Sequence, residues 1–147
     1  MDIRKAALSD VSAVTDLALR LWPEHEFSEL AEEFSNTISH PDAAIFLAFQ
    51  EEQPVGFAQC QLRRDYVEGT ESSPVGYLEG IYVAEGLRKS GIARKLLSAC
   101  ESWAKEKGCT EFASDCELMN TQSLQFHLSV GFQEANRIIC FTKKLGD

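Results

Sequence analysis

No apolar run in the chain approaches the roughly 18 residues of a membrane-spanning helix. The opening Met1-Asp2-Ile3-Arg4-Lys5 lacks the apolar core of a secretory leader, so a cytoplasmic protein is expected. The five cysteines (Cys60, Cys100, Cys109, Cys116 and Cys140) are odd in number and include no C-x-x-C pair. They read as reduced thiols, mostly core fillers, and argue against a disulfide framework or a zinc site. His25, His40 and His127 stand without metal-ligand spacing, so no metal is expected. Positive charge is scarce as well: 14 lysines and arginines face 23 acidic residues, a net charge of −9. That balance repels nucleic acid and anionic membranes. It attracts a polycationic small molecule, although solubility alone explains it equally well. Repeats, linkers and low-complexity segments are absent too.

What remains is a chain of 147 residues, 44% hydrophobic, sized for one domain (1–147) with a sizeable core. A short strand is expected at 3–6. Ser9 then suits the N-cap of a helix whose apolar face is Val11, Val14, Leu17, Ala18 and Leu21. Trp22-Pro23 ends it, because the residue before proline is pushed out of the helical region. Trp22 is either a core edge or one wall of a binding cleft. Ser28 can cap a second helix with Leu30, Phe34 and Ile38 inward. Strands at 44–50 and 55–62 flank a hairpin turn. Residues 63–74 are polar and turn-rich, with Tyr66 their only aromatic.

The stretch 75–97, VGYLEGIYVAEGLRKSGIARKLL, organises the rest. Residues 75–83 are nearly continuous in β-branched, aromatic and aliphatic side chains, as in a strand buried on both faces. From Ile92 the apolar period changes, and Ile92, Leu96, Leu97, Cys100, Trp103 and Ala104 share a helical face. Between them lies Arg88-Lys89-Ser90-Gly91-Ile92-Ala93. A basic, glycine-containing turn entering a helix directs unpaired N–H groups and the positive dipole end to one place, which suits a phosphate. Neither the dinucleotide G-x-G-x-x-G nor the triphosphate G-x-x-x-x-G-K-[ST] pattern occurs. Gly108 suits a helix end, and a strand resuming at 111–114 completes a βαβ unit with parallel strands. A last helix is expected at 120–130, followed by strands at 133–136 and 138–144 that close the sheet.

Two carboxylates stand out. Glu79 interrupts an apolar strand, and an unpaired charge is costly to bury, so it faces a cleft, a partner or an arginine. Asp115 follows the neighbouring parallel strand at its C-terminal end, where ligands bind in open α/β sheets.

The spacing Arg88-x-x-Gly91-x-Ala93, after a strand and opening a helix, resembles the (Q/R)-x-x-G-x-(G/A) loop of the GCN5-related N-acetyltransferases (GNAT). The element order over the whole chain resembles that family's, as does Asn120-x-x-Ser123-x-x-Phe126-His127-x-x-x-Gly131-Phe132, with His127 where the family has tyrosine. YVEGTESSPVGYLEGIYV and CTEFASDCELMN further resemble the aminoglycoside 6′-N-acetyltransferases of antibiotic resistance. The resemblance implies an α/β (α+β) GNAT fold: a mixed, mainly antiparallel sheet with a central βαβ unit and flanking helices. It implies acetyl-coenzyme A (acetyl-CoA) as cosubstrate, bound by the backbone of Arg88, Lys89, Ser90, Gly91, Ile92 and Ala93 and by the backbone of Ile81, Tyr82 and Val83, with Asn120 also at the cofactor. Gly80 stands where a strand bulge is tolerated. By the same resemblance Glu79 and Asp115 hold the aminoglycoside amine and accept its proton, Trp22 and Tyr66 flank the sugar rings, and His127 takes the place of the acid that protonates the thiolate. A homodimer through the late apolar strands is expected. Another amine acceptor (a polyamine, an amino acid or a protein N-terminus), a non-catalytic CoA-binding module and a cysteine acyl-enzyme route remain as rival readings.

Overall fold

The computed structural model describes residues 1–146, and its contacts sort the chain into two units, Met1–Asp115 and the segment from Cys116 onward. The first unit holds a sheet of β1 (Asp2–Lys5), β2 (Ala43–Gln50), β3 (Gln53–Arg63), β4 (Val75–Val83) and β5 (Phe112–Ser114), in sequence order. Neighbours pair antiparallel except β4 and β5, which are parallel. Glu51 and Glu52 alone connect β2 to β3, both at positive φ (51° and 66°), which matches the twist of a two-residue hairpin. The parallel pair needs a crossover, and α3 (Ile92–Glu106) supplies it.

Alternation along the strands decides which helix covers which face. Ile45, Leu47 and Phe57 pack with Val14, Leu17 and Ala18 of α1 (Val11–Leu21) and with Leu30 and Phe34 of α2 (Phe27–Ser39). Phe57 is fully buried, worth about 1.5–3 kcal/mol of transfer free energy, and its ring meets the edges of Phe34 and Trp22. On the opposite face α3 buries Ile92, Leu96, Leu97, Cys100, Trp103 and Ala104, the stripe expected from its periodicity. There the Cys60 and Cys100 thiols meet, and this hydrogen bond together with burial pushes the Cys100 thiol well up. Such a thiol is inert at neutral pH. Cys109 is buried as well, whereas Cys116 and Cys140 are exposed. Among the described residues no helix is long and apolar enough to cross a membrane.

Both expected helix caps are corrected. Ser9 lies inside a 3-10 turn (Leu8–Asp10), and Asp10 takes the stabilising role instead. Its carboxylate accepts from the Ala7 amide at 2.8 Å and from two Arg4 nitrogens at 2.9 and 3.0 Å, charge-assisted bonds that a serine hydroxyl cannot match. Ser28 is already the second residue of α2, whose N-cap Glu26 makes no side-chain cap. Packing of Leu30 and Phe34, not a hydroxyl, sets where that helix begins.

In the second unit α4 (Thr121–Ser129) begins at Asn120, whose side-chain oxygen accepts from the Ser123 amide at 3.0 Å. The two late strands do not form: residues 132–146 carry no strand, and the sheet stops at five. Ile138, Ile139 and Phe141 are exposed there, the last by 86%. High β-propensity makes a strand only where a neighbour supplies a ladder, and among the described residues 132–146 pair with none.

Candidate active site

The site begins with a defect in the central strand. Across β3 and β4 the register runs Gln59 to Gly80 and then Cys60 to Leu78, so Glu79 is an extra residue opposite no partner. This is a β-bulge, which re-aims side chains and ends pairing. On the other edge of β4 the parallel ladder with β5 stops at the same place, with Leu78 opposite Ser114. From Glu79 to the strand's end, that edge has no strand partner among the described residues. Ile81 and Val83 turn their backbone N–H and C=O groups to that open edge, the Val83 carbonyl already accepting from Arg88, while those of Tyr82 face Phe57 across the ladder with β3, in phase with the Ala84 N–H to Val55 carbonyl bond.

The bulge turns Glu79 into a cavity of about 290 Å³ lined by Trp22, His25, Leu30, Glu33, Phe34, Thr37, Gln59 and Glu79 itself. Trp22 is both core edge and wall: its ring meets Phe57 on one side and His25 on the other (6.2 and 6.4 Å between centroids). The indole lies against Gly80, where a Cβ would sit 2.9 Å from its Cη2 atom. Only glycine allows that approach.

Glu79 meets both alternatives that its sequence context allowed. It lines a cavity, and it is paired with Arg63: Nε lies 3.1 Å from Oε2, and Nη2 lies 2.9 and 3.0 Å from the two oxygens. Arg63 also stacks on Tyr77, its guanidinium carbon 3.4 Å from the ring centroid. The Tyr77 hydroxyl donates to Asp115 Oδ2. Burial, then that bond and the Asp115 charge, raise the Tyr77 phenol far above its ordinary range, so it stays a donor. Glu79 and Asp115 are thus joined through Arg63 and Tyr77.

Tyr66 stands apart. It is 74% exposed on the 64–74 loop and does not line the cavity. The loop itself is tied down. Glu111 Oε1 accepts from the Glu71 and Ser72 amides at 2.9 and 2.8 Å, and Arg64 bonds Asp42 at 2.6 Å. The Ser72 hydroxyl, above all, and these amides hold the Glu111 carboxyl below its usual range.

The basic loop has the geometry of an anion cradle. Lys89 and Gly91 both adopt positive φ (66° and 89°), and Gly91 is the N-cap of α3. Ile92 and Ala93 head the helix, where backbone N–H groups have no intrahelical acceptor. No atom lies within 4 Å of where a Gly91 side chain would stand, which leaves the cradle open to a pyrophosphate. Arg88 points back: its Nε donates to the Val83 carbonyl at 3.0 Å, and its guanidinium lies 5.6 Å from the Tyr82 ring. Ser90 donates its hydroxyl to the Leu87 carbonyl. The side chains of Arg88 and Ser90 thus shape the loop.

In the second unit, Asn120 spends its side-chain oxygen on the α4 cap. His127 Nδ1 lies 2.7 Å from the Ser123 carbonyl, a contact that requires its proton there. In the neutral ring Nε2 is then an acceptor, and only the imidazolium has a proton to give from it. The ring packs on Phe126 and Phe132.

Arg63 and Tyr77, bonded to Glu79 and Asp115, and the cavity residues His25, Glu33, Thr37 and Gln59 are side chains of this site that the sequence did not reveal. The carboxylate inside an apolar strand was the signal for a cationic partner, but nothing in the spacing chose Arg63 over its neighbour Arg64.

Residues 11–132 match the Acetyltransferase (GNAT) family, and the chain belongs to that family. It is 41% identical to aminoglycoside N(6′)-acetyltransferase type 1 of Stenotrophomonas maltophilia over 144 residues, covering 97% of this chain and 93% of that one. It is 40% identical to the enzyme of the same name from Acinetobacter haemolyticus, with 99% of each chain covered. Among solved structures it is similar to AAC(6′)-Iy in complex with the bisubstrate analog CoA-S-monomethyl-acetylneamine. The TM-score there is 0.94 and the identity 36%, with 97% of each chain covered.

Proposed function

We propose that the protein is an aminoglycoside 6′-N-acetyltransferase, moving an acetyl group from acetyl-CoA to the 6′-amine by direct attack in a ternary complex. One observation carries this reading: the bulge at Glu79 brings an anionic, aromatic-walled cavity to the point where β4 loses its parallel partner. A thioester arm laid along that edge meets an amine held in the cavity. The similarity to AAC(6′)-Iy bound to a CoA–aminoglycoside conjugate supports both halves.

In this reading the chain acts as a single acetyltransferase domain. The loop backbone from Arg88 to Ala93 holds the pyrophosphate. The pantetheine lies along Ile81, Tyr82 and Val83, and an outward N–H, that of Ile81 or Val83, faces the thioester oxygen. Glu79 and Asp115 bind the acceptor ammonium and take its proton, Trp22 and Tyr66 flank the sugars, Asn120 lies at the cofactor, and imidazolium His127 protonates the thiolate. Burial removes Cys60, Cys100 and Cys109 as nucleophiles for a cysteine acyl-enzyme, leaving exposed Cys116 and Cys140 as the thiols such a route would need. Reduced thiols and the cosubstrate fit a cytoplasmic enzyme. Exposed Ile138, Ile139 and Phe141 fit a homodimer in which the tail gains from a second copy the ladder it lacks.

The test is an amine panel assayed by CoA release. Kanamycin and tobramycin should turn over, with the acetyl group on the 6′-nitrogen by NMR. Turnover of spermidine or a peptide amine instead would leave the family standing and move the acceptor. Absence of turnover with every amine would leave a CoA-binding module. A monomer mass by light scattering at micromolar concentration would count against the dimer.

A further inference from the structure

The proposed roles leave unused the cation that lies between the two acceptor carboxylates. Arg63, the last residue of β3, engages both oxygens of Glu79 and stacks on Tyr77, whose hydroxyl holds Asp115. Burial works against the Arg63 charge, but the hydrogen bonds and charge of Glu79 outweigh it, so it is protonated at every relevant pH. One cation between two anions leaves the cluster a single negative charge, the complement of one ammonium. The titratable and charged groups facing this cluster are Tyr77 and Asp115 and, across the cavity, His25 and Glu33.

We propose that Arg63 is a positioning residue of the acceptor site: it fixes Glu79, sets Asp115 through the Tyr77 ring, and by its resident charge loosens the hold on the acceptor's proton. The inference rests on the reading that the reacting amine binds between Glu79 and Asp115. Two uncompensated carboxylates would hold that amine as its ammonium, which has no lone pair for attack. A fixed like charge beside it favours the neutral form. With both Glu79 oxygens engaged, Oδ1 of Asp115 is the acceptor without a partner among the described residues. The ammonium gives one proton to that oxygen, directly or through water. The freed lone pair forms the C–N bond, the C–S bond breaks with its electrons going to sulfur, and the nitrogen's second proton ends on the thiolate. One proton is released to solvent per turnover.

The test compares wild type with Arg63→Gln and Arg63→Lys, measuring kcat and KM from about pH 6 to 9. Melting temperature and CoA affinity serve as fold controls. Arg63→Gln should lower both parameters at pH 7: KM because the ammonium is held more tightly, kcat about ten-fold because it keeps its proton. The acid limb of kcat should move up by about one pH unit. Arg63→Lys, with charge but no fork, should return the limb most of the way. A higher KM with an unmoved limb, or a lysine variant indistinguishable from the glutamine one, overturns the proposal. Should Arg63→Gln fail to fold, Tyr77→Phe carries the test, since it keeps the stacked ring and removes only the bond to Asp115. A kcat profile unchanged in that variant overturns the proposal equally. The profiles use whichever amine the wild type acetylates. Failure on kanamycin therefore rejects the aminoglycoside reading and leaves the Arg63 comparison intact.

Discussion

Gly80→Ala isolates the acceptor wall from the cofactor edge with a single carbon atom. The backbone tolerates alanine, because Gly80 does not lie in the left-handed region. The obstacle is the indole: the new Cβ would stand 2.9 Å from Trp22 Cη2 and 3.2 Å from Cζ2. Carbon atoms rest at about 3.5–4.0 Å, so the ring must retreat by roughly half an ångström or more. It cannot sink inward, because fully buried Phe57 blocks that side. It must tip toward His25 and into the cavity. Overpacking of this kind costs about 1–3 kcal/mol. In a chain of this size each kcal/mol lowers Tm by about 2–4 °C, so a loss of several degrees is expected. An aromatic contact worth about 0.5–1.5 kcal/mol is misplaced at the same time, so the acceptor KM should rise roughly three- to ten-fold. The CoA affinity should stay within about two-fold, because within 4 Å the added carbon meets only Trp22, on the acceptor side. Differential scanning calorimetry and steady-state CoA release measure both effects. An unchanged Tm together with an unchanged acceptor KM would refute the reasoning, as would a loss confined to CoA binding.

Three further outcomes are expected. Gly91→Val should weaken CoA binding about ten-fold or more in a calorimetric titration, since a β-branched residue resists the +89° φ on which the cradle depends, while Lys89→Ala should cost less than about three-fold. Equal losses would mean that side chains, not backbone, hold the anion. His127→Phe should lower kcat about ten-fold or more with CoA affinity held, and an unchanged turnover would remove the imidazole from the reaction. The Glu111 carboxyl sits below its ordinary value of 4.5, so its contribution to the tether is present above that value and lost as pH falls through the folded one. The Tm difference between wild type and Glu111→Gln should therefore be full near neutrality and vanish in acid, and a difference constant with pH would deny the tether.

What the sequence made legible was local. The 75–114 unit could be read because its apolar period changes at Ile92, and the structure returns β4 at Val75–Val83 and α3 from Ile92. Glu79 announced itself as a charge in an apolar strand. Its bulge depends on how Gln59 and Cys60 register across the sheet, which no one-strand pattern contains. The Arg63–Tyr77 bridge and Gln59 are placed by the same long-range register, while Glu33 and Thr37 reach the cavity through the packing of α2. The tail failed for a different reason: 138–144 has the composition of a strand, but strand formation is settled by a neighbour.

The distribution of the cysteines determines how the chain meets a thiol reagent. Cys116 and Cys140 are exposed, while Cys60, Cys100 and Cys109 are enclosed by the fold. An electrophile added to the native protein should therefore modify two positions promptly and three only as the structure opens. The late phase measures opening free energy without denaturant. A ligand that binds the native state should slow that phase. The early one also sets a practical floor: any colorimetric thiol readout of turnover carries a background of two groups per chain.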